Sequence, residues 1–363
     1  MQLPLDNDFK TIVLNNTPLL DVRAPVEFAK GAFYNATNLP IMNDKERHLV
    51  GTEYKEAGNA AAIALAEKLI KNEGKEQRVA AWKRYIAQNP EAKLYCFRGG
   101  QRSKISQEWL HEAGINITRL KGGYKAFRNF LIEQSLAISA QTPTLILGGR
   151  TGSGKTILLN QLKNSIDLEA LANHRGSSFG NYANKQPSQI DFENNLAYKL
   201  IQFEEKNYKN LLIEHESQNI GKMFIPKPLY ENLMDGKLLI LETPLEQRVA
   251  ITYHEYVTQA IKQFTTIYKD SALRAWHDYV LKSLEKIKKR LGLERYNEML
   301  TLFEDAYKQH GSSYATTLYK EWIAKLLTDY YDPMYDYQIQ KTDIEIIFRG
   351  EEAELLEYLK SLS

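Results

Sequence analysis

The chain has 363 residues and a formal net charge of +2, and 43% of its residues are hydrophobic and 25% charged. This length exceeds one ordinary hydrophobic core and predicts two domains, and the composition is typical of a globular protein in water. The charge is too small to identify a nucleic-acid partner by itself. No apolar run is long enough to predict a membrane span.

Two features of the sequence concern its location in the cell. The first eight residues lack the basic and then apolar segments of a signal peptide. The sequence contains one cysteine, so no disulfide can form within it. Together these features predict a cytoplasmic protein without a membrane association.

Predicted strands and helices alternate over residues 1–136, the first predicted domain. Strands are expected in the short apolar runs at residues 11–14, 18–23, 94–97 and 115–120. Helices are expected in the charged segment 44–92 and at 103–113. The alternation predicts a parallel α/β sheet, whose functional loops gather where the strands end.

The single cysteine lies in a loop rich in glycine and arginine. Cys96 ends an apolar run, and the residues after Phe97 are Arg98, Gly99, Gly100, Gln101, Arg102 and Ser103. Glycines let successive backbone N–H groups converge on an anion. Positive charge and the start of a helix favour the reactive thiolate. Cys96 is therefore predicted to be a nucleophile, with Arg98 and Arg102 holding an anion in the loop.

Landmarks around this loop resemble a rhodanese domain, in which the loop cysteine carries sulfur as a persulfide. They are Asp21-Val22-Arg23, Glu27, Gly31, Asn38-Leu39-Pro40 and Leu120-Lys121-Gly122-Gly123. Five residues separate Cys96 from Arg102, one more than in the common rhodanese loop and as many as in cysteine phosphatases. A phosphatase is therefore an alternative, ranked lower because the upstream landmarks match rhodaneses. We interpret the extra residue as room for a tetrahedral anion that carries the chalcogen.

A phosphate-binding loop opens the second predicted domain, residues 143–245. After an aperiodic segment at 133–143 and a strand at 144–148 come Gly149, Arg150, Thr151, Gly152, Ser153, Gly154, Lys155 and Thr156, a full match to the Walker A pattern. A helix is expected at 157–162. Backbone amides and Lys155 would hold phosphate oxygens, and Thr156 would bind Mg²⁺ where the metal is present.

Other polar residues near predicted strand ends are candidates for the same site. Glu214 and Glu216 follow the strand at 210–213 and are candidates to hold Mg²⁺. Candidates to orient a substrate are His174, Arg175 and Ser177 in one loop, and Arg248 is a candidate to reach a phosphate. Each candidate also has an alternative role without a ligand. The glutamates would be the charged end of a strand, the loop residues would be solvated, and Arg248 would form an exposed ion pair.

The last predicted segment, residues 246–363, is mostly helical, with a late strand at 344–348 that completes the second domain. One helix face would carry Lys282, Lys286, Lys289 and Arg290. Such a face could follow a tRNA backbone. The alternative is a solvated face balanced by neighbouring acidic residues.

The fusion of the two halves resembles the bacterial tRNA 2-selenouridine synthase family across almost the whole chain. Further matches are Glu46-Arg47, Val50-Gly51-Thr52-Glu53-Tyr54, His174-Arg175-Gly176-Ser177, Glu216-Ser217 with Ile220-Gly221, and Tyr331-Asp332-Pro333-Met334-Tyr335. One departure is His215, which stands where a further acidic residue is expected and weakens the case for a standard Mg²⁺ site.

The resemblance implies an enzyme that replaces sulfur by selenium at C2 of a thiolated wobble uridine in tRNA. It implies two co-substrates, selenophosphate from the enzyme that produces it and geranyl diphosphate, which first alkylates the sulfur. Cys96 would carry selenium as a selenenylsulfide, and residues 149–156 would hold the diphosphate of a prenyl compound or of a nucleotide. Three alternatives are a rhodanese-type sulfurtransferase coupled to an NTP-hydrolysing loop, a phosphatase–kinase fusion and a tRNA-binding module without activity.

Overall fold

The structure, a computed structural model, describes residues 3–71 and 73–362. Its contacts divide the chain into two compact units, one reaching to Ile138 and including Ser188–Lys206, the other made of Ser139–Pro187 and the chain from Asn207 onward. Each unit contains a five-stranded parallel sheet, which confirms the predicted α/β class. The segment 188–206, which the sequence-based division placed in the second domain, packs with the first unit.

The first unit is built on a sheet in the order β1-β5-β4-β2-β3, in which all pairs are parallel. Its strands are β1 (Leu5–Asp6), β2 (Leu19–Asp21), β3 (Ala36–Asn38), β4 (Lys93–Tyr95) and β5 (Thr118–Leu120). The helices that begin before the second sheet are α1 (Phe9–Leu14), α2 (Pro25–Phe28), α3 (Asp44–Leu69), α4 (Glu73–Gln88), α5 (Gln101–Glu112) and α6 (Gly123–Gln141).

One predicted strand of this unit is wrong. Residues 11–14 belong to helix α1, because the Asp8 carboxylate accepts a hydrogen bond from the Thr11 backbone N–H at 3.1 Å and caps the helix. The predicted helical segment 44–92 contains α3 and α4. Helix α3 is interrupted at Gly58, where φ is 84°, and Ala62 is its one buried side chain among the described residues.

The loops at the carboxyl edge of this sheet hold one another through backbone contacts. The Cys96 carbonyl accepts a hydrogen bond from the Tyr124 N–H at 2.9 Å, and the Phe97 carbonyl accepts one from Lys125 at 2.9 Å. Gly123 has a φ of 60°, and a Cβ there would overlap the Cys96 carbonyl oxygen and the Gly99 nitrogen. The Gly122-Gly123 turn therefore fixes the path of the cysteine loop.

The second unit is built on a parallel sheet in the order β12-β11-β6-β8-β7. Its strands are β6 (Thr144–Gly148), β7 (Ser165–Ile166), β8 (Leu211–Glu214), β11 (Lys237–Leu241) and β12 (Ile346–Gly350), with a separate antiparallel pair, β9 (Asn219–Ile220) and β10 (Met223–Phe224). The first helices here are α7 (Lys155–Leu159), α8 (Leu168–Ala172) and α10 (Lys227–Met234), whereas α9 (Gln189–Glu204) belongs to the first unit. Helix α7 starts and ends earlier than the predicted 157–162.

The C-terminal part is mostly helical, as predicted, and returns to the second sheet. Its helices are α11 (Leu245–Tyr253), α12 (Ala260–Tyr268), α13 (Ala272–Leu291), α14 (Leu293–Lys308), α15 (Ser313–Leu326), α16 (Asp332–Gln340) and α17 (Glu352–Ser361). Trp276, Phe303 and Trp322 are buried at the centre of their shared apolar core. Strand β12 pairs with β11 and completes the sheet. Within residues 3–71 and 73–362, no helix is both long and apolar enough to cross a membrane.

We predict that Gly123→Ala destabilises the protein more than Gly114→Ala does. Both glycines have positive φ, 60° and 80°, so both substitutions cost about 1 kcal/mol of backbone strain. Only Gly123 also faces backbone atoms, since nothing lies within 4 Å of a Cβ at Gly114. Urea unfolding should show an additional loss of about 2 kcal/mol for Gly123→Ala. Equal losses would contradict the packing of the two loops described above.

Candidate functional site

Cys96 lies directly after β4, at the base of the loop that leads into α5. The side chain is 2% exposed, and its Sγ lies 3.1 Å from the Ser103 hydroxyl oxygen and 3.9 Å from the Gly100 carbonyl. The Ser103 hydroxyl in turn donates to the Gly100 carbonyl at 3.1 Å. A hydroxyl that can turn its hydrogen either way can accept from the thiol or donate to the thiolate. The geometry therefore accommodates both forms of Cys96.

The two arginines of the loop have different surroundings. Arg98 is exposed, whereas Arg102 makes two hydrogen bonds to the Glu27 carboxylate. Burial by itself would raise the pKa of Glu27, but the hydrogen bonds and charge of Arg102 hold that pKa below its usual value. The pair with Glu27 holds Arg102 at the loop, and its contact with an anion stays a prediction. Arg98 and the loop amides are the groups that this ion pair does not engage.

The tertiary structure adds supports to the loop that sequence reasoning did not assign. Arg119, the central residue of β5, donates a hydrogen bond to the Gly99 carbonyl. Asp21 and Arg23 form a buried ion pair at 2.6 Å, and the Arg23 guanidinium lies 4.0 Å from the centre of the Tyr124 ring. A charged residue within a strand was the available signal for Arg119, but nothing in the sequence showed its partner.

The phosphate-binding loop has the strand–loop–helix context that its motif requires. It joins β6 to α7 and contains three glycines with positive φ: Gly149 at 156°, Gly152 at 79° and Gly154 at 88°. The Lys155 ammonium group donates to the Gly149 carbonyl at 2.9 Å. The Thr243 hydroxyl donates to the Ser153 carbonyl at 2.9 Å. With its carbonyls held by protein donors, the loop is preformed as a phosphate cradle.

Arg248 contacts the carbonyl side of this loop, and its predicted contact with a phosphate stays a prediction. Its guanidinium is 3% exposed, donates to the Thr151 carbonyl at 3.0 Å and pairs with Asp332 at 2.5 and 2.9 Å. These contacts use three of the five N–H donors of a guanidinium that is almost completely buried. Arg248 therefore links the loop to the first turn of α16.

A cavity of about 690 Å³ opens above the loop within the second unit. It brings together Lys155 and Thr156 with the predicted candidates Arg175, Ser177, Glu216 and Arg290. The Arg175 guanidinium lies 4.0 Å from the centre of the Tyr182 ring. Other aromatic residues of the lining are Tyr230, Tyr256, Tyr330, Tyr331, Tyr335 and Tyr337. The cavity thus combines a phosphate site with a broad aromatic surface.

Two carboxyl groups face Lys155 in this cavity. Glu169, in the short helix α8, shares a hydrogen bond with Glu216. Burial raises the pKa of both carboxyls, and the charge of Glu216 raises the pKa of Glu169 further, to about 8, although Lys155 acts in the opposite direction. The pair therefore keeps a proton near neutral pH. Glu169 belongs to no motif, so sequence reasoning missed it.

Two other predicted residues lie outside the cavity lining. Glu214 is fully buried, and its carboxylate accepts a hydrogen bond from the Leu168 N–H at 2.6 Å. His174 is 5% exposed, and burial together with the charges of Lys286 and Arg175 lowers its pKa. These two side chains are placed to support the loops around the cavity. Contact of Glu214 with Mg²⁺ and of His174 with substrate stays a prediction.

The predicted basic face lies on α13. Lys282, Lys286, Lys289 and Arg290 are exposed, while Trp276, Val280, Leu284, Ile287 and Leu291 turn into the helical core. Arg290 also lines the cavity above the phosphate loop. The basic face therefore borders the mouth of that cavity.

The cavity offers two oxygen ligands of the kind that a Mg²⁺ ion prefers. The Thr156 hydroxyl and the Glu216 carboxyl both line the cavity, and magnesium prefers such oxygen ligands. Within the described part of the chain, no group of three or more His, Cys, Asp or Glu side chains is arranged to hold a metal ion. A cation here would take its other ligands from phosphate and water, as is usual for magnesium.

Comparisons with known proteins agree with the two units. Residues 7–130 match the family of rhodanese-like domains, and residues 142–363 match the family described as the tRNA 2-selenouridine synthase AAA domain. A tRNA 2-selenouridine synthase of Sulfurovum sp. (strain NBC37-1) is 53% identical over 359 residues, 99% of each chain. Those of Hydrogenovibrio crunogenus and Marinobacter nauticus are 47% and 45% identical, over 96% and 99% of this chain and 96% and 98% of theirs.

We predict that Asp332→Asn destabilises the second unit by about 3 kcal/mol, because it leaves the buried Arg248 guanidinium without its counter-charge. The matched control is Glu242→Gln, which removes the partner of Arg349 in an ion pair whose side chains are half exposed. That change should cost less than about 1 kcal/mol. Chemical unfolding of the full chain would measure both. Similar small losses would contradict a supporting role for the Arg248–Asp332 pair.

We predict that the affinity for inorganic diphosphate falls as the pH rises from about 7 to about 9. Because the pKa values of Glu169 and Glu216 are raised, the pair is protonated below that range and gains negative charge as the pH passes through it. The added negative charge repels diphosphate and should lower its affinity at least about tenfold over this pH range. Calorimetry in EDTA would measure the affinity at each pH. The Glu169→Gln variant should show a flatter profile, and parallel profiles would refute the assignment.

Proposed function

Because the chain belongs to the tRNA 2-selenouridine synthase family, we propose that it replaces sulfur by selenium at C2 of a thiolated wobble uridine in tRNA. The observation that carries the proposal is the presence, in one chain, of a cysteine in a glycine-rich loop and a preformed phosphate cradle in an aromatic cavity. Selenophosphate, from the enzyme that produces it, is the proposed selenium donor. The exposed basic face of α13 supports tRNA binding.

In the first step, the cavity of the second unit binds geranyl diphosphate. Loop amides and Lys155 hold the diphosphate, and the tyrosines provide an apolar surface for the prenyl chain. The uridine sulfur attacks the prenyl carbon, the carbon–oxygen bond breaks, and diphosphate leaves with the electron pair. The protonated Glu169–Glu216 pair can give the leaving group a proton. Where Mg²⁺ is bound, Thr156 and Glu216 would hold it, and it would neutralise diphosphate charge.

A prenyl diphosphate fits the proposed reaction better than a nucleotide. S-alkylation converts a thiocarbonyl into a leaving group, and breaking the bond to diphosphate provides the driving force without NTP. A nucleotide presents the same phosphate groups to the loop, so binding of phosphate alone does not separate the two ligands. The identity of the reaction product separates them.

In the second step, Cys96 carries selenium as a selenenylsulfide. Cys96 is the only cysteine in the sequence, so a small thiol must be its exchange partner. Starting from a mixed disulfide of Cys96 with that thiol, the selenium of selenophosphate attacks Sγ and expels the small thiolate. Water then breaks the selenium–phosphorus bond, which leaves Cys96–S–Se⁻ and phosphate. The loop amides and Arg98 would hold the phosphate group during this step.

Transfer to tRNA then returns the cysteine to its starting state. The selenium attacks C2, the carbon–sulfur bond breaks, and the prenyl thiolate leaves with the electron pair and takes a proton. The small thiolate attacks Sγ, and the sulfur–selenium bond breaks with its electrons on selenium. The products are 2-selenouridine and the mixed disulfide, so the cycle has no net oxidation or reduction.

The proposal predicts the products of the wild-type chain and of two variants. With thiolated tRNA, geranyl diphosphate, selenophosphate and a small thiol–disulfide pair, the wild type should form 2-selenouridine. Cys96→Ala should stop at the S-geranyl nucleoside, and Lys155→Ala should lose at least about a hundredfold of geranylation, because the leaving charge is no longer neutralised. Mass spectrometry of digested nucleosides measures all three.

Unmodified tRNA after incubation with the wild type would refute the proposal. Phosphate release from a monoester or from NTP in the same samples would then favour the phosphatase or the NTP-coupled sulfurtransferase. Selenouridine formation by Cys96→Ala would leave the function standing and refute the selenenylsulfide.

A further inference from the structure

A groove of about 660 Å³ lies beside the cysteine loop within the first unit. At one end it is bordered by Glu27, Gln101 and Arg102, which belong to or contact the loop. From there it runs along α3 and α5. Most of its lining is apolar and includes Ile41, Met42, Ala62, Ile63, Ile70 and Trp109.

Helix α3 forms a wall of this groove that the protein covers only in part. Ala62 is buried, but Val50, Ile63 and Ala66 are half-buried and line the groove. Apolar side chains normally pack against a core, and these three are covered only in part. A ligand that covered them would gain about 25 cal/mol for each Å² of apolar surface removed from water. The groove therefore favours an apolar ligand.

The groove and Cys96 share their surroundings. Cys96 packs in the same apolar cluster as Ile41, Met42 and Ile70, and Arg102, which borders the groove, precedes the Ser103 that contacts Sγ. The exposed side chains of Arg47, His48 and Lys55 form a basic rim of the groove, and Arg47 lies 3.9 Å from Glu27, near the cysteine loop. A substrate whose reacting carbon approaches Cys96 could place an apolar substituent in the groove and phosphate groups near this basic rim.

We propose that this groove binds the prenyl chain of the S-alkylated wobble uridine while C2 faces Cys96. The inference rests on the proposed function and adds a site for the leaving group in the second step. When selenium bonds to C2, the carbon–sulfur bond breaks and the sulfur keeps the electron pair. The prenyl thiolate then takes a proton from water and leaves. Binding of the chain positions the carbon–sulfur bond at the selenium, so a prenyl substituent reacts faster than a small alkyl group.

The test narrows the groove with Ala66→Phe and uses Ala64→Phe as the matched control. Ala66 is half-buried in the groove, whereas Ala64 is exposed outside it on the same helix; two residues along a helix turn the side chain by about 200°. Preformed S-geranyl and S-methyl tRNA are each incubated with selenophosphate, the thiol–disulfide pair and excess protein. Formation of 2-selenouridine in a single turnover is then followed.

We expect the wild type to convert the S-geranyl substrate at least about tenfold faster than the S-methyl substrate. Ala66→Phe should remove that preference and leave the S-methyl rate unchanged, and Ala64→Phe should behave as the wild type. Circular dichroism and thermal unfolding verify that both variants fold. If Ala66→Phe does not fold, Ile63→Asn makes the groove polar and should reduce the same preference.

Three results would overturn the inference. Equal rates for both substrates in the wild type, with no effect of Ala66→Phe, would show that the groove does not bind the prenyl chain, while the proposed function would still hold. A second result would be that Ala66→Phe prevents the geranylation of thiolated tRNA by geranyl diphosphate but converts preformed S-geranyl tRNA normally. The groove would then be a site for free geranyl diphosphate. A wild type that converts neither substrate would refute the proposed function itself, and the groove inference with it.

Discussion

Both candidate sites depend on the way a parallel strand ends. Each strand delivers a residue to the carboxyl edge of its sheet, and the chain must then turn sharply before the next helix. Such turns need positive φ, which glycine adopts with little strain. Gly99 and Gly123 meet this need around Cys96, and Gly152 and Gly154 meet it in the phosphate loop. The turns bring backbone amides toward one point, which is how an uncharged backbone binds an anion.

Arginine side chains hold these loops in place by binding their carbonyls or neighbouring carboxylates. Arg119 donates to Gly99, and Arg248 donates to Thr151 while paired with Asp332. Arg102 is paired with Glu27 at the mouth of the cysteine loop. A guanidinium with five donors in a rigid fork suits this role, because it can hold a carboxylate and a carbonyl at once. Charge near a site thus does not by itself identify a ligand contact.

The electrostatics of the phosphate cavity are balanced between opposite requirements. Lys155 and Arg175 favour a diphosphate, whereas two ionised carboxylates facing Lys155 would repel it. Burial and mutual repulsion raise the pKa of these carboxyls, so the Glu169–Glu216 pair keeps a proton and carries less negative charge. In the proposed alkylation, the same proton would be available to the leaving diphosphate. The groove of the first unit, bordered by Arg102, is mostly apolar, in contrast to the charged phosphate cavity. It therefore favours a hydrocarbon chain.

The sequence alone determined the α/β class, the strand that leads to Cys96 and the phosphate loop, because these follow from local patterns: apolar runs, glycine spacing and the polar residues at their ends. It did not determine the Asp8 cap that makes residues 11–14 a helix, or the packing of residues 188–206 with the first unit. Only the tertiary structure decided that Glu27 pairs with Arg102, that Asp332 pairs with Arg248 and that Glu169 meets Glu216. These pairs join residues 47 to 84 positions apart in the chain, and no local pattern specifies which of many charges will meet once the sheets have formed.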